Sequence, residues 1–200
     1  MFRGPEGSGV AQSDRVVLDL DTKRNQLWRT ELPEAGWSSP ITDGKRLWMT
    51  SALTHDVASG PGGGCTPISV NGKVIIATGY GGNDLVAMDP KGSGDVTETH
   101  VLWRQSKGMP LIASPTCLGD HLFSVTDTGI IHAMHQADGE IVWRERLGGK
   151  FSASLFASGD RLLIGDHSGN VTVFPASQSY EAIARYESKL PTSIDWQSGR

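Results

Sequence analysis

The chain has 200 residues, with 18 Lys and Arg against 22 Asp and Glu, which gives a formal net charge of −4 at pH 7. A nucleic-acid-binding surface needs a clustered basic excess, and the sequence shows no basic stripe. No apolar run is long enough to span a membrane, and two cysteines are too few for a disulfide framework or a four-cysteine zinc site. The 25 glycines and 10 prolines indicate many tight turns, which favours an all-β protein.

Four segments of similar sequence recur along the chain and predict β-hairpins. Each places a glycine-containing turn between two apolar stretches. An Asn-Gly or Asp-Gly pair favours a two-residue type I′ turn, because both central positions need a positive φ. The segments are 38–47, 65–75, 113–123 and 152–162, with turns expected at Asp43-Gly44, Asn71-Gly72, Gly119-Asp120 and Gly159-Asp160.

A second pattern alternates with the hairpins and consists of a strand, a turn and a strand that ends near a tryptophan. It occurs at 15–19 before Trp28, at 84–89 before Trp103 and at 129–135 before Trp143. Four short antiparallel strands in about 40 residues match one blade of a β-propeller. We therefore expect an all-β propeller of about four to five four-stranded blades, in an incomplete or open ring if blades are missing.

The second pattern resembles the repeat of the pyrroloquinoline-quinone-type (PQQ-like) propeller proteins, in which Gly-x-x-x-Ala-x-Asp precedes a turn and x-Leu-Trp. Residues 85–89 with Leu102-Trp103, and residues 131–135 with Val142-Trp143, carry this motif. Residues 2–11, 27–29 and 36–40 resemble the start of secreted bacterial, BamB-like members of the family. The resemblance implies a propeller, a periplasmic or extracellular location, and a strand within 180–189, which is otherwise rich in helix formers.

Tryptophans at equivalent strand ends are interpreted as packing residues between neighbouring blades, because a buried aromatic ring removes a large apolar area from water. The repeat's aspartate and the glycines in its turns are interpreted as structural positions. The predicted structural repeat residues are Trp28, Trp103, Trp143, Asp89, Gly129 and Gly169. His135 stands where the repeat has an aspartate and is interpreted as a turn residue.

The other polar residues define no catalytic or metal site in the sequence. His132 and His135 are three apart on a predicted strand, so they face opposite sides of the sheet and cannot easily share a metal ion. Asp19 and Asp21 lie on one strand face and could reach one cation together. A calcium site needs six or more oxygen ligands, so a solvated strand end is the preferred interpretation.

Cys65 and Cys117 begin equivalent hairpins and are interpreted as small buried residues, with a disulfide between them as the alternative. The resemblance implies that true quinoprotein dehydrogenases use vicinal cysteines over PQQ, a calcium-binding Glu/Asn/Asp set and a catalytic aspartate. This sequence has no adjacent cysteine pair. We therefore expect no cofactor and favour a non-catalytic scaffold that binds a protein or extracellular ligand through its loops. A PQQ-dependent oxidoreductase is the alternative.

The spacing of the hairpins departs from a regular repeat. Pro40 and Pro67 mark successive hairpins that are 27 residues apart, which is too short for a blade of about 40 residues. We expect a lost-blade junction near 53–64 within a single domain, 1–200, and no final hairpin to close a ring. An open arc exposes strand edges, which favours association with another copy or a partner protein.

Overall fold

The computed structural model describes residues 28–31, 39–42, 45–49, 65–78, 84–106 and 108–187. These ranges contain fourteen β-strands in four antiparallel sheets. Sheet 1 consists of β1 (Ile41–Thr42) and β2 (Leu47–Trp48). Sheet 2 consists of β3 (Ile68–Val70), β4 (Lys73–Ala77), β5 (Asp84–Met88) and β6 (Val101–Ser106). Sheet 3 consists of β7 (Thr116–Leu118), β8 (His121–Val125), β9 (Ile130–His135) and β10 (Ile141–Arg146). Sheet 4 consists of β11 (Phe156–Ser158), β12 (Arg161–Gly165), β13 (Val171–Pro175) and β14 (Ala184–Tyr186).

Sheets 2, 3 and 4 are meanders, in which each strand pairs with the next one along the chain. This arrangement is the predicted four-stranded blade, and the all-β expectation is confirmed. The described part of 180–189 contains the strand β14, as the repeat predicts. Within the described ranges there is no helix long and apolar enough to cross a membrane.

The predicted hairpin turns are present wherever the structure describes them. Asn71 and Gly72 have φ angles of 46° and 74° between β3 and β4, as a type I′ turn requires. Gly119 and Gly159 have φ angles of 60° and 59° between the first two strands of sheets 3 and 4. β1 pairs with β2, while the turn at 43–44 and the predicted junction at 53–64 lie outside the described residues.

Two apolar clusters hold the sheets against one another. Successive side chains on a strand point to opposite faces, so each sheet has a leading face toward the next sheet and a trailing face toward the previous one. Ile75 and Leu85 on the leading face of sheet 2 pack with Leu122 and Met134 on the trailing face of sheet 3. All four are fully buried. Each such side chain contributes about 1.5–3 kcal/mol by leaving water.

The second cluster repeats this arrangement one sheet further along the chain. Phe123 and Ile131 on the leading face of sheet 3 pack with Leu162 and Phe174 on the trailing face of sheet 4. Close contacts between first strands also connect β1 to β3 and β7 to β11. The sheets therefore form a stack in chain order, with the first strands of the sheets near one another.

Candidate functional site

A cleft of about 320 Å³ opens beside sheet 4. One wall is the segment 147–151, which connects β10 to β11, and the other consists of the β12–β13 turn and the adjoining parts of β13 and β14. The half-buried Leu147 and the almost fully buried Phe151 form its apolar lining, while Asp166, Thr172, Arg185 and Glu187 supply polar groups. The cleft is therefore a mixed surface of the kind that accepts a polar side chain with an apolar stem.

The Asp166 carboxylate accepts hydrogen bonds from the β12–β13 turn and stabilises that turn. Its Oδ1 accepts hydrogen bonds from the backbone N–H groups of Ser168 (2.8 Å) and Asn170 (2.9 Å), and its Oδ2 accepts one from Asn170 Nδ2 at 2.9 Å. Asp166 thus shapes the wall of the cleft and places a carboxylate beside it. This turn contains Gly169, which was interpreted from the sequence as a structural turn position.

In the other two complete sheets a threonine hydroxyl spans the connection between the second and third strands, although in sheet 2 the residues between Thr78 and Asp84 lie outside the described part of the chain. Thr126 Oγ1 accepts from Ile130 N at 3.0 Å in sheet 3, and Thr78 Oγ1 accepts from Asp84 N at 3.0 Å in sheet 2. A side-chain oxygen at this position is therefore a repeated structural device. In sheet 4 the residue at this position is Asp166, so the oxygen there belongs to a carboxylate that lies beside the cleft.

Arg185 is the cation of the cleft. One of its guanidinium nitrogens donates to the Leu147 carbonyl at 3.2 Å, and no carboxylate of the described residues lies within 4.0 Å of it. The equivalent arginine of sheet 2 differs, because Arg104 pairs with Asp84 at 2.7 Å. Arg185 consequently has donors left for a ligand.

A cross-strand row explains why the cleft opens at sheet 4. The register aligns Ile76 with Val86 in sheet 2, Ser124 with His132 in sheet 3, and Ile164 with Thr172 in sheet 4. An arginine of the fourth strand continues each row, and these arginines are Arg104, Arg144 and Arg185. Two of these arginines directly follow a repeated tryptophan, in the Trp-Arg pairs at 103–104 and 143–144. The pairs could have indicated this row from the sequence, but the interpretation above considered only the tryptophans.

His132 fills in sheet 3 the space that is open in sheet 4. Its ring lies 4.0 Å from the position that a Cβ on Gly108 would occupy, in the connection between β6 and β7. Thr172, its counterpart, has a much smaller side chain. Thr172 lines the cleft beside Arg185.

The Ser124–His132 pair is buried without hydrogen bonds to other described groups. The two side chains are 0% and 3% exposed, and neither Ser124 Oγ nor His132 Nδ1 has a partner. Burial, followed by the positive charge of Arg144, lowers the pKa of His132 to about 4. The imidazole is therefore neutral at pH 7.

Trp103 and Trp143 occupy equivalent places in sheets 2 and 3. Trp103 is 8% exposed and its Nε1 donates to the Gln136 carbonyl at 3.2 Å, while Trp143 Nε1 donates to the Ser177 carbonyl at 2.8 Å. Each indole thus reaches a backbone carbonyl of the following unit. The sequence pointed to the packing of these rings but not to their hydrogen bonds.

Trp28 differs from the packing role expected of it. Its side chain is 69% exposed, and residues 28–31 form no strand. Sheet 1, the next sheet along the chain, has two described strands. Its described residues include no counterpart of the backbone carbonyl and the apolar surface that contact Trp103 and Trp143. The expected role of Trp28 between blades is therefore corrected to an exposed position.

The other predicted repeat residues lie in turns. Asp89 Oδ1 accepts from the Lys91 backbone N–H at 3.0 Å. Gly129 has a φ of 79°, and a Cβ there would lie 2.8 Å from the Gly148 carbonyl oxygen. Gly169 has a φ of 81°. His135 is the last residue of β9, where its backbone also bonds to the turn residues Gly139 and Glu140, and its ring centroid lies 5.5 Å from that of His121.

No disulfide joins Cys65 and Cys117, and both side chains are thiols. Cys65 Sγ contacts the Leu111 and Ala113 carbonyls at 3.5 and 3.4 Å. Burial raises the pKa values of both the Cys65 and the Cys117 thiols to about 12. Cys65 precedes β3 and Cys117 lies in β7, so they are not the adjacent pair that the resemblance associates with PQQ.

The described residues do not fit a PQQ and calcium site. They contain no group of three or more His, Cys, Asp or Glu side chains that could hold a metal ion. Asp19 and Asp21, which the sequence placed on one strand face, lie outside the described residues.

Comparisons with known proteins agree with this geometry. The family model described as outer membrane protein assembly factor BamB matches residues 93–179. No curated protein matches the sequence. A solved europium-containing methanol dehydrogenase is 15% identical with a TM-score of 0.51, covering 72% of this chain and 27% of that one. A quinohemoprotein alcohol dehydrogenase from Comamonas testosteroni is 15% identical with a TM-score of 0.51, covering 62% and 21%.

BamB from Moraxella catarrhalis is also similar, at 16% identity and a TM-score of 0.47, covering 62% of this chain and 35% of that one. This chain spans 27%, 35% and 21% of the three solved proteins. At these identities the likeness concerns the fold. The match of the family model confirms the resemblance to the PQQ-like, BamB-like propeller repeat for the segment 93–179.

Proposed function

We propose that this protein is a non-catalytic propeller scaffold that binds a partner protein in the periplasm or outside the cell. The cleft beside sheet 4 is the observation that carries this proposal. Arg185 has donors left for a ligand there, and the half-buried Leu147, whose carbonyl Arg185 contacts, offers apolar surface. A partner segment with a carboxylate side chain fits this chemistry, because a guanidinium binds a carboxylate through paired hydrogen bonds.

The family description supports a partner from the machinery of outer-membrane protein assembly. We also propose that residues 1–200 form a single domain. Copies of the chain associate with one another through open sheet faces. Protein interfaces commonly combine a charged anchoring residue, such as Arg185, with apolar surface around it.

Photo-cross-linking from the cleft tests the proposal. A photoreactive amino acid at Ser168, which is exposed in the cleft wall, is compared with the same amino acid at Ser158, which is exposed at the β11–β12 turn. Cells of the source organism are irradiated and the cross-linked product is identified by mass spectrometry. We expect one defined partner from Ser168 and none from Ser158. Equal products from both positions would overturn the proposal.

Substitution of Arg185 is the second test of the proposed partner site. Arg185→Ala should abolish the cross-link from Ser168, whereas Lys91→Ala, which removes an exposed positive charge from the β5–β6 loop, should leave it unchanged. Titration with PQQ and calcium tests the competing activity. Stoichiometric PQQ binding with oxidation of an alcohol or a sugar would replace the scaffold proposal by an oxidoreductase.

A further inference from the structure

Two histidines face each other across neighbouring strands of sheet 3. His121 is the first residue of β8, His135 is the last residue of β9, and the strand register pairs them directly. The side chains of such a pair lie on one face of the sheet, with their Cβ atoms about 4.5–5.5 Å apart. This is the leading face, because His121 and the core residue Phe123 are two residues apart on β8. We call His121 and His135 the histidine pair.

The propeller repeat does not require two imidazoles at this place. In sheet 4 the same register position pairs Arg161 with Pro175. His135 stands where the repeat has an aspartate. The histidine pair is therefore a feature of sheet 3 that the packing of the repeat does not explain.

The separation of the two rings is close to the separation that a shared metal ion would give. Their centroids lie 5.5 Å apart and their planes are tilted by 32°. A zinc ion bonds to an imidazole nitrogen at about 2.0–2.1 Å, which places the centroids of two bound rings roughly 5 Å apart at a tetrahedral angle. The strands therefore hold the rings at a suitable distance, and side-chain rotation aims one nitrogen of each ring at a common point.

One nitrogen of the histidine pair lacks the hydrogen bond that a buried polar atom normally has. His121 Nε2 is buried and has no hydrogen-bond partner among the described residues. The rings recorded beside His121 are that of His135 and the hydrocarbon ring of Phe123, whose centroid is 6.1 Å away. Nearly all buried polar groups in proteins have a partner. A metal ion between the two imidazoles would supply the partner of His121.

The surroundings of the histidine pair suit a cation. Both histidines are partly exposed, so a hydrated ion can reach them. The β7–β8 and β9–β10 turns beside them contain Asp120, Asp138 and Glu140 and no lysine or arginine. Lys73 Nζ donates to the Gln136 carbonyl at 3.1 Å, but it comes from sheet 2, on the opposite face of sheet 3. A negative local potential raises the concentration of cations near the pair.

We propose that His121 and His135 bind one divalent transition-metal ion, with Cu²⁺ bound more tightly than Zn²⁺. Imidazole nitrogen suits copper, nickel and zinc, whereas Ca²⁺ and Mg²⁺ take oxygen ligands. Within this series Cu²⁺ forms the most stable complexes. Water fills the remaining coordination positions, so the ion is exchangeable. This site goes beyond the proposed partner binding and lies in a different sheet from Arg185.

Titration of the whole chain with Cu²⁺, followed by electron paramagnetic resonance, tests the site directly. At one equivalent of Cu²⁺, the wild-type spectrum should show coupling to two imidazole nitrogens. His121→Gln and His135→Gln should each remove one of these couplings and weaken binding at least about ten-fold, because even the loss of an outer-shell partner costs this much. His167→Gln is the matched control, because His167 is exposed and its ring is hydrogen-bonded to Ser152 at 2.9 Å. It should leave the copper spectrum unchanged.

Thermal melting provides a second measurement. An ion held by two strands binds the folded state, so an excess of Cu²⁺ should raise the melting temperature of the wild type and of His167→Gln. The same excess should leave the melting temperature of His121→Gln unchanged. With EDTA present, circular dichroism should show the same β-structure in all of these proteins, since both histidines are partly exposed.

Three results would overturn the proposal. One is a wild-type spectrum with fewer than two imidazole nitrogens, which would leave His121 Nε2 to a buried water molecule. Another is unchanged copper binding in both His121→Gln and His135→Gln, which would assign the ion to other groups of the chain. The third is an equal loss of binding in His167→Gln. Because the wild-type spectrum counts the nitrogens directly, it decides the question even where a variant fails to fold.

Discussion

Replacement of Gly139 by alanine should destabilise the protein through a collision with Trp103. A Cβ at Gly139 would lie 2.6 Å from Trp103 Cε3, and real Cβ atoms essentially never approach so closely. The indole has no simple route of escape, because it is 8% exposed and its Nε1 is bonded to the Gln136 carbonyl at 3.2 Å. The contact between sheets 2 and 3 must therefore open or the β9–β10 turn must shift.

The expected loss has two parts. Gly139 has a φ of 76°, and an L-residue in this left-handed region costs roughly 1–2 kcal/mol. Overpacking against a confined ring adds about 1–3 kcal/mol. Gly72 is the matched control, because its φ is 74° and a Cβ there would meet no atom within 4 Å. Gly72→Ala should therefore show the first part alone.

Urea unfolding followed by tryptophan fluorescence measures both variants. We expect Gly139→Ala to lose about 1–3 kcal/mol more free energy of unfolding than Gly72→Ala, with the same urea dependence. Trp103→Leu, combined with each glycine variant, should reduce this difference, because the ring that collides has been removed. Equal losses for the two glycine variants in the Trp103 background would refute the proposed close packing between sheets 2 and 3.

Three further predictions concern protonation and hydrogen bonding. The pKa of His132 is lowered from 6.5 to about 4 in the folded state, so the unfolded chain binds a proton first as the pH falls. Stability should decline from about pH 6.5 toward pH 4, and His132→Val, which introduces the residue type of the equivalent Val86, should reduce this decline in thermal melts. Because burial raises the pKa values of both thiols to about 12, the folded protein should react slowly with iodoacetamide at pH 8, whereas urea-unfolded protein should react rapidly by mass spectrometry; fast labelling of the native protein would contradict the described burial. Trp143→Phe should cost about 1 kcal/mol in urea unfolding, because the Ser177 carbonyl loses its indole donor, and an unchanged midpoint would show that water replaces this donor.

The local architecture of this protein was predictable because short-range chemistry determines it. The Asn71-Gly72 pair adopts the positive φ angles that its residue types favour, and glycine occupies the corresponding turns at Gly119 and Gly159. The repeated spacing of apolar strands similarly indicated four-stranded meanders. The resemblance carried by 85–89 and 131–135 added the propeller type.

The candidate site could not be predicted in the same way, because it is formed by contacts between units that are about 40 residues apart in the sequence. Trp28 shares the motif of Trp103 and Trp143 but is exposed, since a packing role requires a neighbouring sheet that a local motif cannot specify. The equivalence of His132 and Thr172, which differ greatly in size, likewise appears only through strand register.

The sequence by itself determined the strands, their turns and the meander order, because alternation and turn propensity act over a few residues. The tertiary structure alone decided which repeated positions are covered. Leu47 and Leu162 are equivalent in sequence pattern, yet one is 49% exposed and the other fully buried. Burial of a repeated side chain depends on whether another sheet packs against its face, and that is a property of the assembled stack.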